Sequence, residues 1–296
     1  MQNEMSFGKV RFLPGRNQGR YPCCHSVYIE EAKVLIDPAC DRKRLARLRE
    51  EEGVEQVWLS HWHEDHIRNL DLFDDLPFFM SEKDAPPLTD LETFMDWYMM
   101  EGENVRGFWR EELVNRFHYH PRTPAGFLHG GQVIELPGLA VEVIEAPGHT
   151  PGSLAFLFRE PEVLFMSDCD LTRFGPFYGE LFASIPEVLA TIDKLRRVPA
   201  KVWMAGHETG LFTEQPGQLW DDYAGVVHAR QGRLDRVLAS PKPFREIVES
   251  WVVYRKPREP REFYLTAEAA MIRKHFEWMR EQGRLREEDG LFSLAG

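Results

Sequence analysis

Short apolar runs alternate with amphipathic stretches along the first two thirds of the chain. Several runs, such as AKVLID and EVLFMSD, are apolar enough to be buried on both faces of a sheet. Seven runs are predicted to be strands: residues 26–31, 32–37, 55–60, 139–146, 154–160, 162–168 and 201–206. Because helical stretches lie between them, this order indicates an α/β fold of layered sheets and helices.

Two of these helices have clear ends in the sequence. DRKRLARLREEEG begins with Asp41, a favoured N-cap residue, and stops at Gly53, a favoured residue just beyond a helix end. SIPEVLATIDKLRR begins with Ser184 and Glu187 at the spacing of a capping box. We therefore expect a helix over each of these two segments.

The last part of the chain reads as helical. Its clearest helix is TAEAAMIRKHFEWMREQGRL, for which Thr266 is the expected N-cap and Gly283 the expected stop. We divide the chain into an α/β part, residues 1–225, and a helical module, residues 226–296. Within the first part, residues 88–117 are predicted to form a helical insertion rich in aromatic side chains.

The composition fits a folded protein with a sizeable core, since 43% of the 296 residues are hydrophobic and 28% are charged. No apolar run approaches the roughly 18 residues needed to cross a bilayer, so we expect no membrane contact. The opening MQNEMSFGKVRFLPG lacks the apolar stretch of a secretion signal. The four cysteines, Cys23, Cys24, Cys40 and Cys169, form no CxxC pair, which disfavours a disulfide framework. Together these features predict a cytoplasmic protein.

The chemistry is concentrated in SHWHEDHIRNL, residues 60–70, where three histidines and two acids occupy six positions. The segment follows a predicted buried strand, so it lies on a strand-to-helix loop, where α/β folds place their sites. Imidazole and carboxylate ligands suit zinc, iron or manganese, and the absence of cysteine ligands argues against a purely structural zinc. A solvated polar loop is the alternative, but it does not explain three histidines at this spacing.

Further motifs follow in a characteristic order: APGHTPGS at 146–153, FMSDCD at 165–170 and MAGHETG at 204–210. Together with the HxHxDH element they resemble the metallo-β-lactamase-fold hydrolases over about residues 8–215. The resemblance implies a four-layer αββα sandwich and a dinuclear metal site. One ion would be held by His61, His63 and His149, the other by Asp65, His66 and His207, and Asp168 would bridge the two.

Such a site implies a hydrolase. Two ions roughly 3.5 to 4 Å apart lower the pKa of a bridging water enough to supply hydroxide, and they polarise the bond to be cut. We expect zinc, with iron or manganese as alternatives, catalytic roles for Asp65 and Asp168, and a small ester, thioester or lactone as substrate. A phosphodiesterase or RNA nuclease, a mononuclear-iron persulfide dioxygenase and a metal-containing binding or regulatory protein remain as alternatives.

Several residues near the motifs have open roles. Asp37, in VLIDPACD, either orients a ligand histidine or caps a turn. Glu64 is expected to face solvent, and Cys169 to be a packed thiol. Trp62, Arg68 and Ser167 depart from the family pattern, where smaller residues, and a glycine before the bridging aspartate, are usual. These departures leave the substrate unassigned.

The cleft walls are expected to come from three aromatic segments. In LTRFGPFYGELF, Tyr178 either donates to an oxyanion or lines a pocket with Phe174 and Phe177. In the insertion, the aromatic residues either form a lid or pack on the core, and they could also serve a homodimer contact. These aromatic residues of the insertion are Phe94, Trp97, Tyr98, Phe108 and Trp109.

The C-terminal module resembles the small winged-helix-like domain appended to one branch of this family, which includes glyoxalase-II-like and lactamase-like RNA-cleaving members. From His228 to Arg286 it carries 14 Lys and Arg against 8 Asp and Glu, an excess of +6 in a chain of net charge −12. This excess could attract phosphates, although mixed charges on helices are more often a solvated face. We favour packing that closes one wall of the substrate cleft over contact with nucleic acid.

Overall fold

A computed structural model describes residues 3–295, whose strands form two stacked sheets and a small third one. The first sheet has seven strands in chain order, antiparallel from β1 to β4 and parallel from β4 to β7. Its strands are β1 (Met5–Phe7), β2 (Val10–Leu13), β3 (Ser26–Ile29), β4 (Val34–Ile36), β5 (Gln56–Trp58), β6 (Phe78–Met80) and β7 (Gly126–Phe127).

The second sheet has six strands in the order β13-β12-β11-β10-β9-β8. Only the β11–β12 pair is parallel among its described strands. Its strands are β8 (Val133–Leu136), β9 (Leu139–Glu145), β10 (Leu154–Phe158), β11 (Val163–Phe165), β12 (Val202–Met204) and β13 (Leu211–Phe212). All seven strands expected from the apolar runs are present, as β3, β4, β5, β9, β10, β11 and β12.

The side chains of each buried strand alternate between two separate cores, as the two-residue period of a strand requires. In β10, Phe156 and Phe158 point between the two sheets, while Ala155 points to the outer helical layer. In β4, Ile36 points between the sheets and Leu35 to the opposite helical layer. Because each sheet is apolar on both faces, helices must cover the outside, which gives the expected four-layer αββα arrangement.

Eight α-helices are described within residues 3–295. They are α1 (Arg42–Arg47), α2 (Pro86–Thr89), α3 (Leu91–Trp97), α4 (Glu103–Asn115), α5 (Ile185–Leu195), α6 (Gln218–Val237), α7 (Phe244–Glu249) and α8 (Arg261–Glu281). The expected caps form, since Asp41 accepts from the backbone N–H of Arg44 and Ser184 from that of Glu187. Helices α2 to α4 make residues 88–117 largely helical, as predicted, and that the segment is an insertion stays a prediction.

The C-terminal part differs from the sequence expectation in two ways. Helix α8 begins at Arg261, so Thr266 lies inside the helix and does not cap it; its hydroxyl donates to the carbonyl of Glu262. Three short strands were not expected, and they form a third sheet in the order β14-β16-β15. They are β14 (Lys242–Pro243), β15 (Leu285–Glu288) and β16 (Leu291–Leu294).

The proposed division at residue 226 falls within α6, and both that boundary and the winged-helix resemblance stay predictions. All four cysteines are free, as expected for a chain without a disulfide framework. Within residues 3–295, none of the helices combines the length and hydropathy that a bilayer crossing requires.

Candidate metal centre

Four loops meet at one edge of the two stacked sheets. The HWHEDH segment follows β5, His149 lies between β9 and β10, Asp168 follows β11, and His207 follows β12. Short buried strands fix where each loop begins, so residues separated by up to about 150 positions are brought together. The structure thus gathers all seven residues that the motifs predicted.

The first group consists of His61, His63, His149 and Asp168, whose ligand atoms all lie within 4.8 Å of one another. Nε2 of His149 lies 3.2 Å from Nε2 of His61 and 3.3 Å from Oδ2 of Asp168. Three imidazole nitrogens and one carboxylate oxygen facing a common point form a donor set suited to a divalent metal ion.

The second group is built around the other oxygen of the same aspartate. Oδ1 of Asp168 lies 2.8 Å from Nε2 of His66 and 3.4 Å from Nε2 of His207. Oδ2 of Asp65 lies 3.4 Å from that same nitrogen of His207. The carboxylate of Asp168 therefore has one oxygen beside the ligand atoms of each group.

Cys24 lies with His66 and His207 in the second group, since its sulfur and their ring nitrogens are within 4.8 Å of one another. Its sulfur is 3.5 and 3.6 Å from the two ring nitrogens of His66, and it donates to the carbonyl of His25 at 3.0 Å. Nearly equal distances to both nitrogens place the sulfur against the ring, away from the lone-pair axis of Nε2. The sulfur therefore packs against the ring of the ligand histidine, and burial raises the pKa of its thiol to about 11.

Four of the five histidines are held at Nδ1, which turns Nε2 toward the groups. Nδ1 of His149 contacts the carbonyl of Phe177 at 2.8 Å, and Nδ1 of His207 contacts that of Gly19 at 2.7 Å. Such outer partners fix the ring orientation and the tautomer of metal-binding histidines. These carbonyl partners could not be predicted, because a backbone acceptor has no side-chain signature.

Asp37 and two serines hold the other two rings. Oδ2 of Asp37 accepts from Nδ1 of His66 at 2.8 Å, and its two oxygens also accept from the backbone N–H and the hydroxyl of Ser60. The hydroxyls of Ser60 and Ser167 lie 3.0 and 3.2 Å from Nδ1 of His61. Of the two roles open to Asp37, the structure therefore shows the orienting one.

A buried polar atom of the site lacks a hydrogen-bond partner within the described part of the chain, and a metal ion could take that place. Nε2 of His63 is buried and has no hydrogen-bond partner among residues 3–295, although it faces the first group. Burial holds the pKa values of His61 and His63 well below their usual value, which keeps both imidazoles neutral with a free lone pair. A buried acceptor without a donor costs free energy unless a cation satisfies it, so the residues fit the ions.

Glu64 corrects an expectation, because it does not face solvent. Only 3% of the residue is exposed, and its carboxylate accepts hydrogen bonds from the hydroxyls of Tyr21, at 2.8 Å, and Tyr98. Burial, with the nearby charge of Asp65, raises the pKa of Glu64 to about 7. The ring of Tyr98 also stacks on His63, with centroids 5.3 Å apart. Glu64 thus anchors two tyrosines beside the first group.

A cavity of about 400 Å³ opens above the two groups. Its floor contains His63, Asp65, His149, Asp168 and His207. Its walls come from the insertion, from the loop after Asp168 and from the C-terminal module, and they include Tyr98, Met100, Trp109, Phe174, Phe177, Tyr254, Phe263 and Tyr264. The C-terminal module therefore does close one wall of the cleft, as the sequence favoured.

The aromatic residues divide between core and cavity. Phe94 packs in the core on Trp62, while Trp109 lines the cavity and contacts Phe263 of α8 with centroids 5.1 Å apart. The insertion is therefore both a packed element and a wall of the cleft. Tyr178 lies outside the cavity lining, and its buried hydroxyl contacts Nε2 of His275 at 2.9 Å, so it takes neither of the two roles left open, oxyanion donor or pocket wall.

The two sheets and their outer helices form an αββα sandwich, and two adjacent clusters of side chains that could hold metal ions lie at one edge of it. The sequence profile of the Metallo-beta-lactamase superfamily matches residues 24–207, more than half of the chain. This chain belongs to that superfamily.

Named relatives and solved structures agree with this assignment. The hydroxyacylglutathione hydrolase of Acidiphilium cryptum is 30% identical over 220 residues, 72% of this chain and 74% of that protein. A probable metallo-hydrolase of Streptococcus pyogenes serotype M6 is 28% identical over 146 residues, 47% of this chain and 57% of that protein. A metallo-β-lactamase family protein of Thermus thermophilus shares the fold, with a TM-score of 0.73 at 24% identity, covering 97% of this chain and 99% of that one.

The chain spans only about half the length of some of the curated relatives that it matches. The alignment to the β-lactamase-like protein 2 homolog of Caenorhabditis elegans, for example, is 24% identical and covers 62% of this chain and 52% of that protein. The comparisons therefore assign the superfamily.

Proposed function

We propose that this chain is a hydrolase that uses two divalent metal ions to cleave a small ester, thioester or lactone. Zinc is the first candidate metal, with iron and manganese as alternatives. The observation that carries the proposal is the position of Asp168, with one oxygen beside His149 and the other beside His66. The hydroxyacylglutathione hydrolases among the relatives support a thioester in particular.

In this proposal each ion has its own protein ligands. The first would be held by His61, His63 and His149, the second by Asp65, His66 and His207, and Asp168 would be shared. When bound, the pair of ions supplies a water of near-neutral pKa as nucleophile and polarises the carbonyl that is attacked. The chain supplies rigidity, because the Nδ1 contacts leave the rings little freedom to turn.

Asp65 and Asp168 are the residues to which we assign catalytic roles. Both carboxylates are largely buried beside imidazoles, and burial of two negative charges is favourable only with cations next to them. Burial opposes the ionisation of Asp168, but His66 and His207 outweigh it and hold its pKa well below the usual value. Metal ions on the same nitrogens would supply that positive charge in their place.

The cavity supports a small substrate with an apolar part. Its volume of about 400 Å³ falls in the range of small-molecule sites, and rings from three segments form its walls. The contact between Trp109 and Phe263 closes one side, which leaves less room for a long polymer. We therefore place a phosphodiester or RNA substrate second.

The test is a panel of substrates assayed with the metal-loaded protein. Thioesters, p-nitrophenyl esters and lactones are compared with bis-p-nitrophenyl phosphate and single-stranded RNA, using Asp168→Asn and the surface control Asp193→Asn, whose carboxylate pairs with Arg197. We expect turnover of a carboxylic ester, thioester or lactone, its loss in Asp168→Asn and its retention in Asp193→Asn. Turnover of the phosphodiester or RNA alone would overturn the proposed substrate class, and no loss in Asp168→Asn would overturn the mechanism.

A further inference from the structure

Helix α6 contacts the loop that follows Asp168 at two points, through Tyr223 and Arg230 on the same face of the helix. The hydroxyl of Tyr223 donates to the backbone carbonyl of Asp168 at 2.8 Å. Tyr223 is buried, and seven residues later, two helical turns on, Arg230 is buried as well. Neither contact involves the side chain of a proposed metal ligand: Tyr223 holds the carbonyl of Asp168, and Arg230 holds two carbonyls of the loop that follows it.

Arg230 is unusual because its charge is buried and directed at the backbone. Only 1% of Arg230 is exposed. Its Nη1 and Nη2 donate to the carbonyls of Pro176 and Phe174 at 2.5 and 2.6 Å. Its Nε is buried and has no hydrogen-bond partner among residues 3–295. The guanidinium carbon lies 4.6 Å from the centroid of the Phe174 ring. A buried cation needs such partners, so the loop and the arginine fix each other.

The same loop also orients a proposed metal ligand. The carbonyl of Phe177, next to Pro176 in the chain, contacts Nδ1 of His149 at 2.8 Å, and Nε2 of that ring lies 3.3 Å from Asp168. Arg230 is therefore connected to the first group in three steps: its hydrogen bond to Pro176, the peptide bond to Phe177, and the contact of Phe177 with His149. Arg230 does not line the cavity, so it has no direct contact with a substrate there.

We propose that Arg230 and Tyr223 are positioning residues of the metal centre, which make helix α6 a part of the first metal site. The proposal rests on the dinuclear site proposed above. It assigns to the C-terminal part of the chain a role in metal affinity, in addition to its role as a wall of the cleft. Plain packing of α6 on the loop would stabilise the fold and leave the affinity for the first ion unchanged.

The test measures metal binding by the full-length apo protein, by zinc titration against a chromogenic chelator. Arg230→Met keeps the apolar stem and removes the donors, and we expect about a tenfold loss of affinity for one ion, with the other unchanged. Turnover should show a lower kcat and an unchanged KM. Arg230→Lys, which can reach one carbonyl, should restore part of the affinity, and Tyr223→Phe should lower the affinity for both ions by less than about tenfold, because the Asp168 that it holds is shared.

Leu234→Ala is the matched control, because Leu234 is fully buried on the same helix and packs away from the loop. It should lower the free energy of unfolding without changing either metal affinity. Equal losses of affinity in Leu234→Ala and Arg230→Met, or no loss in Arg230→Met and Tyr223→Phe, would overturn the proposal. A wild-type protein that binds two ions but hydrolyses none of the substrates would contradict the proposed reaction and leave this inference standing, whereas one that binds no ion would contradict both.

Discussion

Oδ2 of Asp37 lies 2.8 Å from Nδ1 of His66, and both side chains are completely buried. The carboxylate also accepts two hydrogen bonds from Ser60, the residue before His61. One buried acid thus fixes the start of the HWHEDH segment and the ring at its end. The positions of both ends of the segment therefore depend on this pair.

Replacing Asp37 by Asn should weaken the second metal site. The amide keeps the shape but has one acceptor oxygen in place of two, so either Ser60 or His66 loses its partner. We expect a loss of about 10- to 100-fold in affinity for the second ion, because outer partners of ligand histidines have effects of this size. Competition with a chelator measures this loss. An unchanged affinity in a folded Asp37→Asn variant would show that the contact does not orient His66.

At Ser167, the destabilising effect of a left-handed backbone can be separated from the stabilising effect of the hydroxyl hydrogen bond. Its φ is +51°, in the left-handed region, while its hydroxyl donates to Ser60 at 2.7 Å. Ser167→Ala loses the hydrogen bond and keeps the strain, so it should unfold with about 1 kcal/mol less free energy than the wild type. Ser167→Gly loses the same bond and relieves the strain, so it should be about 1 kcal/mol more stable than Ser167→Ala. Urea unfolding of the apo proteins measures both, and equal stabilities of the two variants would refute the strain argument.

Phe263 should control how large an acyl group the cavity accepts. Its ring meets Trp109 across the cleft, so Phe263→Ala opens the wall between α4 and α8. We expect the ratio of kcat/KM for a long acyl chain to that for a short one to rise by roughly tenfold. Phe244→Ala is the control, since Phe244 packs on Phe276 in the same module outside the cavity lining. A uniform change across the acyl series would contradict this role.

His275 should make the apo protein less stable in acid. Burial, with the charge of Arg230, lowers its pKa from 6.5 to about 3, while its ring nitrogens are bonded to Tyr178 and Gln231. Since the unfolded chain binds this proton at higher pH than the folded one, stability falls as the pH falls from about 6.5 toward 3. His275→Gln removes the titration, so its free energy of unfolding should change less steeply with pH.

The expected difference in slope is about 1.4 kcal/mol per pH unit between pH 4 and 6, the value for one proton. Urea unfolding at several pH values, with a chelator present throughout, measures this slope. His25, whose pKa burial also lowers to about 4, remains in both proteins and leaves a residual slope. Parallel stability curves for the wild type and His275→Gln would show that His275 is not the group responsible.

The sequence predicted the seven clustered residues because each follows a strand or lies in a motif whose backbone context is local. Glu64 was assigned wrongly, since its burial depends on Tyr21 and Tyr98, which come from distant segments. The assignment of Thr266 as the N-cap is wrong, because helix α8 continues back to Arg261, beyond the clearest part of its pattern. Arg230 carried no signal at all, because its partners are backbone carbonyls.

The central claim is that two metal ions share Asp168, and the number of ions per chain tests it most directly. Elemental analysis of the gently purified protein, with turnover measured on the same sample, should give about two zinc, iron or manganese ions per chain. Asp168→Asn should bind fewer ions and lose turnover in parallel. A wild-type protein that carries well under one ion per chain and still hydrolyses its substrate at full rate, in the presence of chelator, would contradict the account.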